Sequence, residues 1–338
     1  MYVTITLIVI LSLSEVRFSY ATGVIATINV GGAPSGLVFD PSTSDIYVAS
    51  HGGSDIPVID GATNSVNGTI PFSGGAYQMV FANGTLYASS FDSKVVQVIN
   101  SSTKSGIANI TGINDVIGLA FDPAKADVYA ATSNGTVAVI SEATNSLIGK
   151  IVVGSTSNAI GVDSANNETY VVNDQTNSVY AINDSTNTVV ANITVGISPD
   201  AVAFDPSNGK VFVANGVLTN TSNSGSVSII NGTTNSVVAT VDTDGNPAAV
   251  AFDSANGFVY VANVNTGSLT VINAVTNSKV STIQVVPGSS SSTNGVIFDS
   301  TNGDLYVANR GSGTVSVVAP AATSSGQTTS PTLSSSTG

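Results

Sequence analysis

Seven copies of one motif recur at intervals of 40 to 48 residues along the 338-residue chain: an apolar run ending in Phe-Asp, a polar turn, and a run close to Tyr-Val-Ala-Asn. A third run with apolar residues two apart follows each copy, and one unmatched strand pattern precedes the first. Together these predict an all-β protein, a seven-bladed β-propeller with four-stranded antiparallel blades whose last blade is closed by the N-terminal strand.

The first strands are anchored by Phe39, Phe81, Phe121, Val162, Phe204, Phe252 and Phe298, the second by Tyr47, Tyr87, Tyr129, Tyr170, Phe212, Tyr260 and Tyr306. In six copies the two anchors lie eight residues apart; in the second copy Asn83-Gly84 shortens the distance to six. An even change leaves every side chain on its own face of the pleat. Third strands show period two, as at Ile56 and Val58 or Leu269 and Val271, and Thr-Asn or a variant follows six of them. The seventh runs into Pro320 instead, while residues 24 to 30 match the fourth-strand pattern of residues 234 to 241. The N-terminal strand is therefore expected to complete the last blade, which removes two open sheet edges.

Residues 3 to 13 form an eleven-residue apolar run, and Ser19-Tyr20-Ala21 then supplies small residues for cleavage, so residues 1 to 21 read as a signal peptide. The run is too short to span a bilayer, and no direct membrane insertion is expected of the mature chain. Residues 22 to 319 form the propeller, and residues 320 to 338, rich in Ser and Thr, read as a disordered tail. Only 9% of residues are charged, with 21 acidic against 8 basic side chains. A net charge of −13 argues against nucleic acid or an anionic membrane as partner, because both need clustered Lys and Arg. Cysteine is absent, which excludes disulfides and thiolate metal sites.

Tyr-Val-Ala-Asn, together with VSVIN-like third strands and the Val-Gly-x-x-Pro turn, resembles the YVTN family of β-propeller repeats over about residues 24 to 318. The resemblance implies a protein of the cell surface or surface layer, commonly without enzymatic activity. The wider superfamily is also similar to quinoprotein dehydrogenases and lactonases, so fold does not settle function.

Departures from the repeat point to loops on a binding face. The distance from second to third strand grows by six residues within residues 215 to 225, and four more fall within residues 287 to 293, on loops expected to share one face. That face is expected to bind through these loops, Asn220 among their residues, and through their neighbours His51, Phe91, Asp92, Asp174 and Arg310, with Phe91 as an aromatic anchor. With one histidine and no cysteine, a nucleophile paired with a histidine base is not expected, and no convergent set of carboxylate, His and Arg is legible. Catalytic residues, metal ligands and a cofactor are accordingly not expected. Asp242, Asp244 and Asn246 alternate around a glycine as in a calcium loop, but the distant Glu is missing. The Asp after each Phe, as at Asp40 and Asp253, is expected to cap the following turn. Ten Asn-x-Ser/Thr sequons in a chain this rich in Asn, Ser and Thr are close to chance. The expected function is a noncatalytic extracellular recognition, adhesion or surface-layer module whose partner is a protein or glycan at the cell surface. The alternatives are an extracytoplasmic enzyme of lactonase or lyase type, or a propeller carrying a small ligand or metal.

Overall fold

The computed structural model describes residues 23 to 320 except residues 52, 91 to 93, 155 to 156, 217 to 223 and 288 to 292. The leader assigned to residues 1 to 21 and the tail past Pro320 lie outside the described residues. Seven four-stranded antiparallel sheets are present among the described residues. In the sixth the strands are Pro247–Asp253, Phe258–Asn263, Ser268–Asn273 and Ser278–Gln284, paired in chain order. The first strand of every blade touches the first strands of both neighbouring blades, so these seven line a central channel. Among the described residues no helix is long and apolar enough to cross a membrane.

The ring closes as the repeat count requires. Strand Gly23–Asn29 pairs antiparallel with Thr314–Ala319 and so supplies the outer strand of the seventh blade. Ile28 is carried into the seam between blades seven and one, against Leu37, Tyr306 and Val315. An equivalent apolar cluster fills each of the other six seams, which is why second strands such as Phe258–Asn263 are buried on both faces. Outer strands bury one face only, and each carries a β-bulge that places residues such as Ile107, Ile148 and Val190 outward. On a surface so poor in charge, bulges are the device that keeps these edges from pairing with other chains.

The repeated polar residues are turn chemistry. After the first strand, Asp40, Asp122, Asp163, Asp205, Asp253 and Asp299 each accept the backbone N–H two residues on through Oδ1. After the third strand, Asn64, Lys104, Asn145, Asn187, Asn235 and Asn277 adopt left-handed conformations with φ between 48° and 55°, which asparagine tolerates best after glycine. The Thr before and the Ser or Thr after that residue bond across the turn, as Thr63 to Ser65 at 2.9 Å and Thr276 to Ser278 at 2.7 Å.

These turns also latch neighbouring blades together. Tyr306 Oη donates to Asn64 Oδ1 of blade one at 2.6 Å, Tyr87 to Asn145 of blade three at 2.6 Å, and Tyr170 to Asn235 of blade five at 2.7 Å. In blade five the anchor is Phe212, which has no hydroxyl. There Lys210 Nζ reaches the turn of blade six instead, 2.7 Å from Ala274 O and 2.8 Å from Asn277 Oδ1. Tyr260 faces blade seven, whose outer strand comes from the N-terminus and brings no such turn, and its hydroxyl accepts from Asn256 Nδ2 within its own blade.

Candidate functional site at the channel mouth

The innermost strands begin with an irregularity that the repeat pattern does not announce. In blades one, three, five, six and seven the pairing with the second strand skips one residue, namely Ser35, Ile117, Asp200, Ala248 and Asn294. A bulged residue is released from the ladder and re-aims its side chain. Tyr77 and Asn158 hold the corresponding places in blades two and four, four residues before Phe81 and Val162. All seven positions line the channel mouth, in two contiguous cavities of about 260 and 210 Å³ that share Ser35, Gln78, Asn158, Asp200, Ala248 and Asn294.

Below this rim the next residue on each strand is Gly36, Gly118, Ala159, Ala201, Ala249 or Gly295, with Gln78 the exception in blade two, and the one after is aliphatic, such as Leu37, Leu119 or Val202. The channel therefore has a polar mouth, a waist of small residues and an apolar floor. Gly118 lets neighbouring first strands pack closely around the waist, because a Cβ there would lie 3.1 Å from Ile160 Cγ2 of the next blade.

The rim carries charges of both signs. Asp200 is open to the water of the mouth while protein surrounds it on its other sides, and Asn158 Nδ2 lies 3.4 Å from its Oδ1. Loss of hydration first, and the charge of Asp174 second, push its carboxyl up to about 6. Tyr77 is held above the ordinary phenol range by burial and by Asp200, with Arg310 acting in the opposite sense. Tyr77 thus sits in the field of an anion and a cation contributed by blades five and seven. Arg310 lines the smaller cavity, and the His51 ring meets Tyr77 edge to face at a centroid distance of 6.0 Å. Ser35 Oγ, Asn294 Oδ1 and Asp174 Oδ1 are buried atoms with no hydrogen-bond partner among the described residues.

Of the residues singled out in the sequence, His51, Asp174 and Arg310 come together around this mouth. Phe91, Asp92 and Asn220 lie outside the described residues, as do most of the two long loops. The expectation that no carboxylate and arginine converge is corrected by Asp200, Asp174 and Arg310, which three different blades bring to one rim. Asp200, Tyr77, Asn158, Asn294 and Ser35 were not singled out, because nothing in the alternation of a strand announces a bulge. One signal was available: four residues before the Phe anchor, a column otherwise set among small and aliphatic neighbours reads Ser, Tyr, Ile, Asn, Asp, Ala, Asn.

The calcium-like loop is engaged otherwise. Asp244 accepts from Lys279 Nζ and Thr282 Oγ1, and from Thr270 Oγ1 at 3.0 Å; burial opposes its charge, but these donors hold the carboxyl below its ordinary range. Among the described residues no three His, Cys, Asp or Glu side chains are grouped to hold a metal ion.

Fold and mouth together define a seven-bladed β-propeller with a small polar chamber at one end of its channel. No protein-family model and no curated protein matches the chain. Among solved structures it is similar to Kuenenia stuttgartiensis hydrazine synthase, with a TM-score of 0.74 and 17% sequence identity over 84% of this chain and 95% of that one. At that identity the likeness is one of fold.

Proposed function

We propose that this chain is an extracellular recognition propeller of the YVTN kind, and that its receptor is the channel mouth, which takes the polar end of a cell-surface glycan. The observation that carries this reading is the ring of residues four before each first-strand anchor, in which Ser35, Tyr77, Asn158, Asp200 and Asn294 line one chamber above an apolar floor with hydroxyl, amide and carboxyl groups. Hydroxyl-rich ligands are held by such mixed donors and acceptors, and the His51–Tyr77 pair offers an aromatic wall at the rim. The chamber is small for a ligand site and suits a terminal sugar better than a long chain. The charge-poor surface and the expected leader support an extracellular setting. Saturation-transfer NMR with neutral, amino and acidic monosaccharides tests the proposal: transfer to at least one class, lost in the double variant Asn158→Ala/Asn294→Ala with its β circular dichroism intact, is expected. No transfer to any class, or transfer unchanged in the variant, would overturn it.

One observation favours a second reading. Asp200, its carboxyl lifted toward neutrality beside Tyr77 in a chamber that Arg310 also lines, is suited to serve as a general base, as in an enzyme of lyase or lactonase type. Under that reading Asp200→Asn retains binding and abolishes turnover of the bound sugar or lactone. Under the recognition reading no turnover is seen in the wild type.

A further inference from the structure

The seam between blades three and four holds a doubled carboxyl group that no other described seam has. At five of the seven seams a first-strand Asp of one blade stands opposite the first residue of the next blade's Thr-Asn turn. A Cβ on Gly232 would lie 2.6 Å from Asp163 Oδ2, and one on Gly61 would lie 2.8 Å from Asp299 Oδ2, so the two positions touch. Asp299 with Gly61 and Asp163 with Gly232 are thus facing pairs, and by the register of the repeat Asp40 with Ser101 and Asp205 with Ala274 are their equivalents, each with a single carboxyl. Blade two lacks the Asp, having Ala82, and there the turn supplies the acid as Glu142, which accepts from Asn83 Nδ2 at 3.0 Å. Only between blades three and four do both positions carry one, Asp122 and Asp184.

Both are excluded from solvent, with 1% and 0% exposure. Asp122 Oδ1 caps the turn at Ala124, but its Oδ2 and both oxygens of Asp184 have no aligned hydrogen-bond partner among the described residues. The hydroxyls of Tyr129 and Thr169, fully buried and likewise without an aligned partner, lie against the same carboxyl. Two ionised carboxylates facing each other in such a place repel across a poorly hydrated gap, and one proton between them converts repulsion into a hydrogen bond.

We propose that Asp184 carries a proton that it donates to Asp122, forming a proton-operated latch between blades three and four that loosens when the pair ionises. The groups facing Asp184 are Asp122, Lys125 and Tyr129 from blade three and Glu168, Thr169 and Tyr170 from blade four. Burial is the largest influence and raises its carboxyl to about 6; Thr169 and Lys125 pull downward, while Asp122 and Glu168 push upward. Tyr129 is raised by burial and by Asp184, Asp122 and Asp127, as expected where negative charge outweighs positive. The sign follows: a carboxyl raised in the folded state favours folding more as the pH falls from above 6 toward the ordinary 3.8.

The test uses the whole chain and thermal unfolding between pH 8 and pH 4.5 for wild type, Asp184→Asn and Asp184→Gly, the last restoring the residue found in blades one and five. The wild-type Tm should rise on acidification by about 3–6 °C more than that of either variant. Infrared spectra at pH 5 should show a protonated carboxyl band that both variants lose. Parallel Tm profiles, or no such band, would overturn the latch. So would a rise in Tm with calcium at pH 8 that Asp184→Asn abolishes, since the site would then hold a cation and not a proton.

Discussion

Replacing Tyr306 by Phe removes one hydroxyl from a fully buried ring and leaves its volume and packing in place. That hydroxyl donates to Asn64 Oδ1 at 2.6 Å and lies 3.2 Å from Gly61 O, both on the turn of the next blade. Losing a donor of this kind costs about 1–3 kcal/mol, because the acceptors stay behind partly buried. At about 2 °C per kcal/mol for a domain of this size, the Tm should fall by about 2–6 °C. Tyr260→Phe is the internal control, since its hydroxyl bonds only Asn256 in its own blade, and it should cost less than about 1 kcal/mol. Blade five gives the reciprocal experiment. Lys210→Met should cost about 1.5–3 kcal/mol, because a charged donor to Ala274 O and Asn277 Oδ1 is lost. Adding Phe212→Tyr to Lys210→Met should recover about 1 kcal/mol by restoring the latch used elsewhere. Urea unfolding of the five proteins measures all of these. Equal costs for Tyr306→Phe and Tyr260→Phe, or a neutral Lys210→Met, would refute the idea that the second-strand anchor latches blade to blade.

Two further outcomes follow from closure and burial. Removing residues 24 to 30 from the mature chain should lower the Tm by about 10 °C or more, since the outer strand of blade seven and the buried Ile28 go with it; an unchanged Tm would contradict closure by this strand. Asp184 is raised to about 6, and Asp127, Asp253 and Asp304 are raised too, burial leading in each case, while Asp244 is lowered. Raised carboxyls weaken the fold while ionised, so stability should grow as the pH falls through about 6 and stay once they are neutral. Circular dichroism should show the β signal intact at pH 3 with a Tm no lower than at pH 7.5; a Tm falling steadily below pH 5 would contradict the burial argument.

The sequence carried the architecture because each blade repeats the same strand, turn and cap chemistry. Phe252, Asp253, Tyr260 and Asn277 each do one local job that is repeated around the ring, and the missing seventh turn announces the closing strand. The mouth was only half legible. His51, Asp174 and Arg310 stand on loops, where a polar residue draws notice, and the structure gathers them. Asp200 and Asn294 stand within apolar strands, and whether they face a seam or the channel depends on a one-residue skip that strand periodicity does not encode. The acid pair was hidden for a different reason. Asp122 looks like one more turn cap and Asp184 like one more turn residue, and only the packing of two blades makes them neighbours.

The central claim is that ligand recognition takes place inside the channel mouth. It is tested most directly by filling the mouth without touching its polar groups. Ala248 is half-buried on the rim between Asp200 and Asn294, and Ala248→Trp would occupy the chamber that these residues line. The account predicts that this variant keeps its β circular dichroism and its Tm to within about 3 °C while the sugar transfer signal seen for the wild type disappears. A signal of undiminished strength from the filled channel would contradict it.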